Sequence, residues 1–314
     1  MSSPPKQTRY KHNIPHQPVS GRCASASDPT SRETLRKIAQ ETQGIVPQLL
    51  SQLGTIEAAR RSSKHNLNHP HRLHPEECPS FPHPATIKVL NKDTLNVGIQ
   101  LAADAAVDSA YDNRYPAIVN FADTHRPGGG WLNGALAQEE ALCYRSSLAA
   151  GLNSKHWPLS DTAAELVYTP YVLVVRDDLA SGHRVMELNP DQLPVVSVLS
   201  VAAIYKPDVY PLRERYGPPK LAFATDKDRN LTKDKMRLVL RAAARNKHRR
   251  LVLGALGCGV YANPPEDVAE CWLEVLREAE FKGNWWKEVC FAVYDDKNSG
   301  NFETFYRILN GKTV

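Results

Sequence analysis

Two adjacent carboxylates, Glu139 and Glu140, follow Gln138 at the predicted start of a helix. Consecutive helical residues point about 100° apart, so the two side chains can serve different parts of one ligand. The helix N-terminus favours the ionised carboxylates, whereas burial and their like charge favour keeping one proton on the pair. A general acid at neutral pH needs the second effect to prevail. The alternative is a helix whose first turn simply carries negative charge, and the pair alone does not decide between the two.

The loop before this pair contains three consecutive glycines, Gly128, Gly129 and Gly130. Three glycines lose much backbone entropy on folding, but they permit φ > 0 and let backbone N–H groups approach a ligand closely. Taken alone, the triplet also fits a mobile surface loop that has no function. The triplet follows a predicted strand at 116–122, and α/β sheets bind ligands beyond the carboxyl ends of their strands.

A second glycine-rich loop follows the predicted strand at 251–256. Its residues are Gly257, Cys258, Gly259, Val260 and Tyr261. Glycines between a strand and a helix N-terminus are typical of an anion site, where backbone N–H groups and the helix dipole face a phosphate. Pro265 suits the first position of the helix that follows. The loop taken alone is weak evidence for a phosphate.

Strands and helices alternate along the chain from residue 86 onward. The predicted strands are 86–90, 116–122, 166–175, 195–203, 251–256 and 289–294. The predicted helices are 95–110, 138–152, 233–246, 266–279 and 301–309. Apolar runs of strand length and apolar residues at helical intervals carry these assignments. Such alternation predicts the α/β class, with a mostly parallel or mixed sheet covered on both faces by helices.

The composition predicts three segments: a disordered tail at 1–30, a helical extension with a connector at 31–84, and a main domain at 85–314. In the extension, Thr30 and Glu33 have the spacing of a capping box. Apolar residues follow at helical intervals, and a second short helix is expected near 54–61.

Pro47 is expected to kink or end the first of these helices. The stretch 62–84 contains five histidines and five prolines, which predicts an irregular connector. Clustered histidine and cysteine side chains can bind metal, but those of the connector show no repeated spacing, so no metal site is predicted.

The 314-residue chain has a net charge of +5 and 42% hydrophobic residues, an ordinary composition for a soluble globular protein. No apolar run approaches the roughly 18–20 residues of a membrane-spanning helix. The charge alone does not separate attraction to a polyanion from ordinary solubility. The basic run at 241–250 is interpreted as the end of a solvated helix that leads into a strand. No nucleic-acid motif accompanies it, so no specific nucleic-acid partner is expected.

The six cysteines are scattered, without a CxxC pair or a secretory signal peptide, which favours a reducing intracellular compartment. We expect the nucleus or the cytoplasm. Residues 1–27 contain four basic residues and no acidic one, so a mitochondrial transit peptide is the alternative. Prolines in this stretch break a long amphipathic helix and favour a disordered tail.

The first loop and the carboxylate pair together read GGG-x7-QEE. This resembles the signature of the poly(ADP-ribose) glycohydrolases, in which three glycines, a spacer and Gln-Glu-Glu follow one another. The wider stretch NFADTHRPGGGWLNGALAQEEALCYRSSL is most similar to the shorter microbial and fungal branch. The resemblance covers about residues 86–310. It implies a macrodomain-like mixed sheet sandwiched between helices, with an N-terminal helical extension and a catalytic domain at 85–314.

The resemblance also implies an activity, the hydrolysis of ribose–ribose O-glycosidic bonds with release of ADP-ribose. Glu140 would protonate the leaving oxygen and then activate water, and Glu139 would bind ribose hydroxyls. The substrate-binding residues it implies are Gly128, Gly129, Gly130, Gln138, Asn133, Asp93, Gly257, Cys258, Gly259, Val260, Tyr261 and Tyr294. The expected partners are ADP-ribose and poly(ADP-ribose) on modified proteins, acted on by a monomer away from membranes. The scheme requires no metal or cofactor.

Within this set, the glycine triplet would pack against the scissile sugar, and 257–261 would hold the diphosphate. Asp93 would accept the adenine amino group and Tyr294 would stack on adenine. On chemistry alone, Asp93 fits a helix N-cap equally well, and Tyr294 a half-buried sheet aromatic. Asp123 is a concern, because a further negative charge beside a diphosphate is costly unless it points away.

Two other functions fit much of the same sequence. One is a macrodomain that binds ADP-ribose without cleaving it, although a protein that only binds has no need of paired acids. The other is a hydrolase of a different ADP-ribosyl linkage, to a protein side chain or a nucleic-acid end. Cleavage at the chain end and cleavage within it both remain open.

Overall fold

The computed structural model of the protein describes residues 28–68, 71–107, 115–212 and 220–314. The predicted tail at 1–30 therefore lies outside the described residues as far as residue 27. None of the helices in the described ranges has the length and apolarity to cross a membrane.

The described ranges contain helices and strands in alternation. The helices are α1 (Arg32–Gln52), α2 (Ile56–Arg60), α3 (Thr94–Val107), α4 (Gln138–Arg145), α5 (Leu148–Gly151), α6 (Asp226–Arg245), α7 (Pro265–Leu276) and α8 (Asn301–Leu309). The strands are β1 (Ser63–Asn66), β2 (Ile87–Leu90), β3 (Ala117–Phe121), β4 (Glu165–Leu173), β5 (Val195–Val201), β6 (Val209–Leu212), β7 (Lys220–Phe223), β8 (Arg250–Leu253) and β9 (Glu288–Ala292).

Seven of these strands form one mixed sheet in the order β1-β4-β5-β3-β8-β9-β2. β3 pairs in parallel with β5 and β8, and β9 pairs in parallel with β8 and β2. β4 runs antiparallel to both β1 and β5. β6 and β7 form a separate antiparallel pair. The predicted α/β class with a mixed sheet is confirmed.

Helices cover both faces of this sheet. Ile118 of β3 belongs to an apolar core that includes Leu35 of α1 and Leu142 of α4. The next residue, Val119, belongs to a second core with Met236 of α6 and residues of α7 and α8. Successive side chains of a strand point to opposite faces, so a strand buried on both faces is apolar throughout. The central strands therefore lie between two cores, and their carboxyl ends lead into loops.

Most predicted elements are present with shifted ends. The six predicted strands correspond to β2, β3, β4, β5, β8 and β9, and the predicted helix at 301–309 is α8. The predicted cap at Thr30 is wrong. Ser31 caps α1, because its Oγ accepts a hydrogen bond from the Thr34 N–H at 3.2 Å. Pro47 lies inside α1, which continues to Gln52.

The single helix predicted at 138–152 is divided into α4 and α5 at Ser146. Ser146 Oγ donates to the Leu142 carbonyl at 2.7 Å and accepts the Leu148 N–H at 3.2 Å. Its backbone also forms a bridge with Val174 beyond the end of β4. A serine that bonds local backbone groups offers an alternative to continued helix, which explains the break.

Two further strand regions were not predicted from the sequence. The stretch 62–84, interpreted as an irregular connector, contains β1, which pairs with β4 at the edge of the sheet. Its sequence is SKHN, and an edge strand of polar residues carries no apolar alternation from which it could be recognised. The hairpin of β6 and β7 is short and was missed for the same lack of periodicity.

The interpretation of 241–250 as solvated is wrong at both ends. Arg241 is buried, and its guanidinium bonds both oxygens of the buried Glu280 at 2.7 and 2.9 Å. Arg250 is also buried and donates to Glu288 at 3.1 Å. Glu280 in addition accepts the Leu73 N–H at 3.0 Å. The Arg241–Glu280 pair therefore fixes the N-terminal connector to α6.

We predict that Arg241→Met lowers the free energy of unfolding by about 3–5 kcal/mol near neutral pH, since it removes the buried cation and leaves Glu280 only the exposed Arg72 and the Leu73 N–H. Burial alone raises the pKa of Glu280, but Arg241, the Leu73 N–H and Arg72 hold it below its ordinary value. The wild-type protein therefore has this stabilisation above the ordinary glutamate pKa and loses it as the pH falls further. In the variant burial is opposed only by Arg72 and the Leu73 N–H and the pKa of Glu280 rises, so the difference between the two proteins shrinks toward about pH 4. Denaturant titrations at both pH values measure this.

The matched control is Lys37→Met, which removes an exposed ion pair with Glu33. Its effect should stay within about 1 kcal/mol at either pH, because exposed pairs contribute little. A loss for Arg241→Met as small as that of the control, or one that grows at low pH, would contradict the role assigned to the buried pair.

Candidate active site

A cleft of about 480 Å³ opens at the carboxyl ends of the parallel strands. Its walls come from the first turn of α4 and from the segments after β2, β3, β8 and β9. The sequence-predicted residues that line it are Asp93, Gln138, Glu139, Glu140, Gly257, Gly259, Val260, Tyr261 and Tyr294. The structure therefore brings both predicted loops into one cavity, whose volume is that of a small-molecule site.

Glu139 is almost completely buried, with 2% of the residue exposed. Its Oε2 accepts the Asp123 N–H at 2.7 Å, and its Oε1 accepts the Gly128 N–H and Asn120 Nδ2, each at 3.1 Å. Burial raises the pKa of Glu139 to about 8; the charge of Glu140 adds to this rise and the three donors oppose it. The site therefore keeps one proton near neutral pH, which is the condition that the sequence analysis set for a general acid at this position.

Asn120, whose side chain donates a hydrogen bond to Glu139, was not predicted as a site residue. It is fully buried in β3, and its Nδ2 also donates to Ser200 Oγ on β5 at 3.0 Å. The signal in the sequence is an amide side chain within an apolar strand, since a buried amide needs hydrogen-bond partners.

Glu140 lies beside Glu139 in the first turn of α4 and lines the cleft. Its Oε1 accepts the Gly130 N–H at 2.9 Å. A Cβ placed on Gly129 would lie 2.5 Å from Glu140 Oε1 and 3.3 Å from Glu139 Oε2. Both carboxylates therefore face the same glycine, and the backbone of the triplet determines where they sit.

The glycine triplet is placed differently from the expectation. Gly128, Gly129 and Gly130 do not belong to the described residues that line the cleft; they lie against the carboxylates instead. Gly128 and Gly129 have φ of 78° and 58°, the left-handed region in which glycine is strongly favoured. The observed contacts of the triplet are with Glu139 and Glu140, and its packing against a sugar stays a prediction.

Gln138 fastens the start of α4 to the end of β3. Its Oε1 accepts the Phe121 N–H at 2.8 Å, and its Nε2 donates to the Val119 carbonyl at 2.7 Å. A further bond from Nε2 reaches Thr94 Oγ1 at 3.2 Å. An amide with both a donor and an acceptor satisfies two backbone groups of one strand at once, which fixes the position from which the two glutamates project.

The second loop is closed by Asn263, another residue that was not predicted. Its buried Nδ2 donates to the carbonyls of Ile204 and Tyr261 at 2.7 and 3.1 Å. Gly257 has φ 76°, and a Cβ there would lie 2.5 Å from Asn263 Nδ2. The loop is therefore rigid at its base, and it presents Gly259 to the cleft.

Cys258 and Tyr261 differ in how they relate to the cleft. Cys258 is not one of the described lining residues; its Sγ lies 3.7 Å from the Leu256 carbonyl, and burial raises the pKa of the thiol. Tyr261 lines the cleft, and its hydroxyl accepts the Thr124 N–H at 3.1 Å. Tyr261 therefore joins the second loop to the first.

Asp93 and Tyr294 lie at another part of the cleft wall. Asp93 Oδ1 accepts the N–H groups of Leu95 and Asn96 at 2.8 and 3.1 Å, so this residue is a helix N-cap as well as a cleft residue. The same oxygen pairs with the buried Arg145 of α4. Tyr294 lies beyond the end of β9 and is 57% exposed on the rim, not half-buried within the sheet.

Arg145 was missed because an arginine at a helix end is normally solvated. Here it is 1% exposed, and its Nη2 donates to Asn96 Oδ1 at 2.7 Å. Asn133, in contrast, was predicted as a site residue, but it lies exposed in a short turn and is not among the described lining residues. Asp123 Oδ1 accepts the N–H groups of His125 and Arg126, each at 2.8 Å, so much of its charge is bound within its own loop.

Within residues 28–68, 71–107, 115–212 and 220–314, no three His, Cys, Asp or Glu side chains are close enough together to hold a metal ion. The five cysteines of these ranges are free thiols.

The family model described as "Microbial-type PARG, catalytic domain" matches residues 33–177 of the chain. This range contains the whole first loop and the carboxylate pair. No curated protein matches the sequence.

Solved structures of poly(ADP-ribose) glycohydrolases are similar to the chain. That from Thermomonospora curvata is 27% identical with a TM-score of 0.65, over 88% of this chain and 99% of that one. The complex of that enzyme with the inhibitor ADP-HPD is 28% identical with a TM-score of 0.63, over the same shares of the two chains. A Deinococcus radiodurans enzyme in complex with ADP-ribose is 26% identical with a TM-score of 0.60, over 81% of this chain and 96% of that one. Over residues 33–177 the chain is therefore similar to the microbial-type PARG catalytic domain, and its fold resembles that of these bacterial poly(ADP-ribose) glycohydrolases over 81–88% of its length.

Proposed function

We propose that this protein hydrolyses the ribose–ribose O-glycosidic bonds of poly(ADP-ribose) and releases ADP-ribose, with Glu140 as general acid and base. The observation that carries the proposal is the placement of Glu140 in the cleft, held by the Gly130 N–H beside the buried Glu139. The similar structures bind ADP-ribose and the inhibitor ADP-HPD, which supports ADP-ribose as the ligand of this cleft.

The polar groups of the cleft suit the parts of ADP-ribose in order. We assign the diphosphate to the loop at 257–261, whose glycines let backbone N–H groups approach an anion. We assign adenine to the wall that contains Asp93 and Tyr294. Asp93 Oδ1 already caps α3 and pairs with Arg145, so Oδ2 is the oxygen assigned to the adenine amino group. The distal ribose then lies at Glu139 and Glu140.

Cleavage needs a proton on the leaving oxygen, because the transition state resembles an oxocarbenium ion. Glu140 donates that proton to the ribose oxygen as the C–O bond breaks. It then accepts a proton from the water that attacks the anomeric carbon, which restores the acid and gives ADP-ribose. Glu139, next to it, binds hydroxyls of the same ribose, and its raised pKa keeps one proton on the pair.

The two carboxylates cannot flank the scissile bond in the usual way of glycosidases, since they are neighbours on one helix. We therefore assign the stabilisation of the oxocarbenium ion to a different negative charge, that of the diphosphate held by the second loop. Stabilisation of developing charge by a preorganised group is the largest single contribution in many enzymes.

We also propose that the polymer is presented on modified proteins and that a monomer acts on it. The free thiols of the described cysteines support a reducing intracellular compartment.

The test of the proposed function compares wild type with Glu140→Gln on automodified poly(ADP-ribose). We expect ADP-ribose release to slow by at least ~10²-fold, the low end for loss of a general acid, while the Kd for free ADP-ribose changes little. The control Glu303→Gln alters an exposed first-turn carboxylate of α8 and should leave release unchanged. A wild-type protein that binds ADP-ribose but releases none from the polymer would instead be a non-catalytic binding protein or a hydrolase of another ADP-ribosyl linkage.

Gly129→Ala should damage catalysis more than folding. The new Cβ would meet Glu140 Oε1 at 2.5 Å, and a displaced catalytic group can cost ~10²-fold in rate. The control Gly54→Ala has a similar φ, 65°, with nothing within 4 Å of the added Cβ. Both variants should lose roughly 1–2 kcal/mol of stability from the left-handed backbone. Equal activity of the two variants would mean that Gly129 does not position Glu140.

The raised pKa of Glu139 predicts two pH effects. Ionising Glu139 opposes folding, so its contribution to stability is greatest below its ordinary value of 4.5 and is lost as the pH rises toward about 8. Above about pH 8 the site loses its proton, and kcat/KM for polymer should fall about tenfold per pH unit. Glu139→Gln removes this ionisable group, so its denaturant titrations should lack the stability effect and its residual activity should no longer fall near pH 8. A wild-type profile that stays flat well above pH 8 would refute this assignment.

A further inference from the structure

An exposed aromatic ring lies just outside the cleft. Tyr205 follows β5, is 52% exposed, and is not among the described residues that line the cleft. Its ring packs edge to face on Tyr261, with centroids 5.1 Å apart and planes at 86°. Tyr261 is itself a cleft residue, so Tyr205 continues the cleft wall toward solvent.

Tyr205 lies on the side of the cleft that contains the reacting carboxylates. The Tyr261 hydroxyl accepts the Thr124 N–H, and the preceding N–H, that of Asp123, donates to Glu139. Two adjacent backbone groups therefore connect the Glu139 carboxylate with the Tyr261 side chain and, through ring contact, with Tyr205. The residues assigned to adenine, Asp93 and Tyr294, come from the loops after β2 and β9 and take no part in these contacts.

A cation accompanies this ring. Lys206 Nζ lies over the Tyr205 ring, 5.2 Å from its centroid, so a base would stack on the opposite face. The backbone N–H of Lys206 donates to the Tyr261 carbonyl at 2.9 Å. Lys206 has φ 47°, a left-handed conformation that costs a non-glycine residue energy. The fold therefore tolerates local strain where this exposed tyrosine and lysine are attached to the cleft loop.

The chemistry of the polymer places a base near this point. The oxygen that leaves on cleavage belongs to the adenosine ribose of the neighbouring unit, so an adenine is attached to that same sugar, and a diphosphate follows. Aromatic side chains stack on bases in single-stranded nucleic acids, and lysines attract their phosphates. An exposed tyrosine with an adjacent lysine suits a base followed by a phosphate.

We propose that Tyr205 and Lys206 form a subsite for the ADP-ribose unit on the leaving side of the scissile bond. The adenine of that unit stacks on Tyr205, and Lys206 attracts its diphosphate. The subsite rests on the proposed function, because only a polymer bound at Glu140 extends past Tyr261. It holds a unit that free ADP-ribose lacks, so it contributes to polymer turnover and not to binding of the monomer.

The experiment measures two quantities for the full-length protein: kcat/KM on purified poly(ADP-ribose) and the Kd of free ADP-ribose. The variants are Tyr205→Ala and Tyr205→Leu, the second of which keeps an apolar contact with Tyr261. The control is Tyr306→Ala, which removes a tyrosine that is 49% exposed and touches another ring, Phe302, on α8. We expect both Tyr205 variants to lose roughly tenfold in kcat/KM, as for loss of one base stack. Their Kd for ADP-ribose should stay at the wild-type value, and the control should match wild type in both quantities.

Three results would overturn the subsite while leaving the proposed function intact. Unchanged polymer turnover in both Tyr205 variants would show that the ring binds nothing. A parallel loss of ADP-ribose affinity in both variants would show that Tyr205 only supports Tyr261. An equal loss in Tyr306→Ala would show a non-specific surface effect. A wild-type protein that binds ADP-ribose but cleaves no polymer would overturn the proposed function, and the subsite with it.

Lys206→Gln tests the diphosphate part of the subsite separately. Each phosphate contact by a cation adds about 0.7 to the slope of log affinity against log salt for a single strand. We therefore expect the salt dependence of kcat/KM on polymer to be shallower in this variant, with the Kd of ADP-ribose unchanged at all salt concentrations. An unchanged salt dependence would remove Lys206 from the subsite.

Discussion

The burial of the Glu139 carboxylate is the constraint on which the rest of the site depends. A carboxylate taken out of water must be bonded on both oxygens or stay protonated, and here the bonds come from Asn120 on β3 and from the backbone of the first loop. The loop therefore has to wrap around the side chain at close range. Only a backbone without side chains on its inner surface can do so, which explains the glycines at 128–130.

Contacts of Gln138, Arg145 and Tyr261 fix the elements around the buried Glu139 carboxylate. Gln138 fixes the start of α4 to β3, and Arg145 at the end of α4 pairs with Asp93 beside α3. A single short helix therefore fixes two parts of the cleft, the carboxylates at its first turn and the Asp93 wall at its last. Tyr261 provides the remaining link, because its hydroxyl joins the second loop to the loop that holds Glu139.

The sequence predicted the α/β class, the core elements and the two loops, because apolar periodicity and glycine spacing are local properties. It did not predict that the glycine triplet contacts the two carboxylates, or that Asn133 lies outside the described lining of the cleft. The burial of Arg145 and Arg241 was missed because a charged residue is expected to be solvated unless its partner is known. In both cases that partner is distant in the sequence. The polar strand β1 carries no periodicity that would have marked it.

The same hydrogen bonds that permit burial of Glu139 also oppose the protonation that catalysis needs. Each N–H donor favours the ionised carboxylate, whereas desolvation and the charge of Glu140 favour the proton, and burial prevails by raising the pKa to about 8. A site with more donors would hold the pair fully ionised, without a proton for the leaving group. A site with fewer would leave a buried carboxyl poorly bonded and free to move. Three donors therefore hold the Glu139 carboxyl in place and still let it keep a proton. The length and glycine content of the first loop decide how many N–H groups can reach this carboxyl.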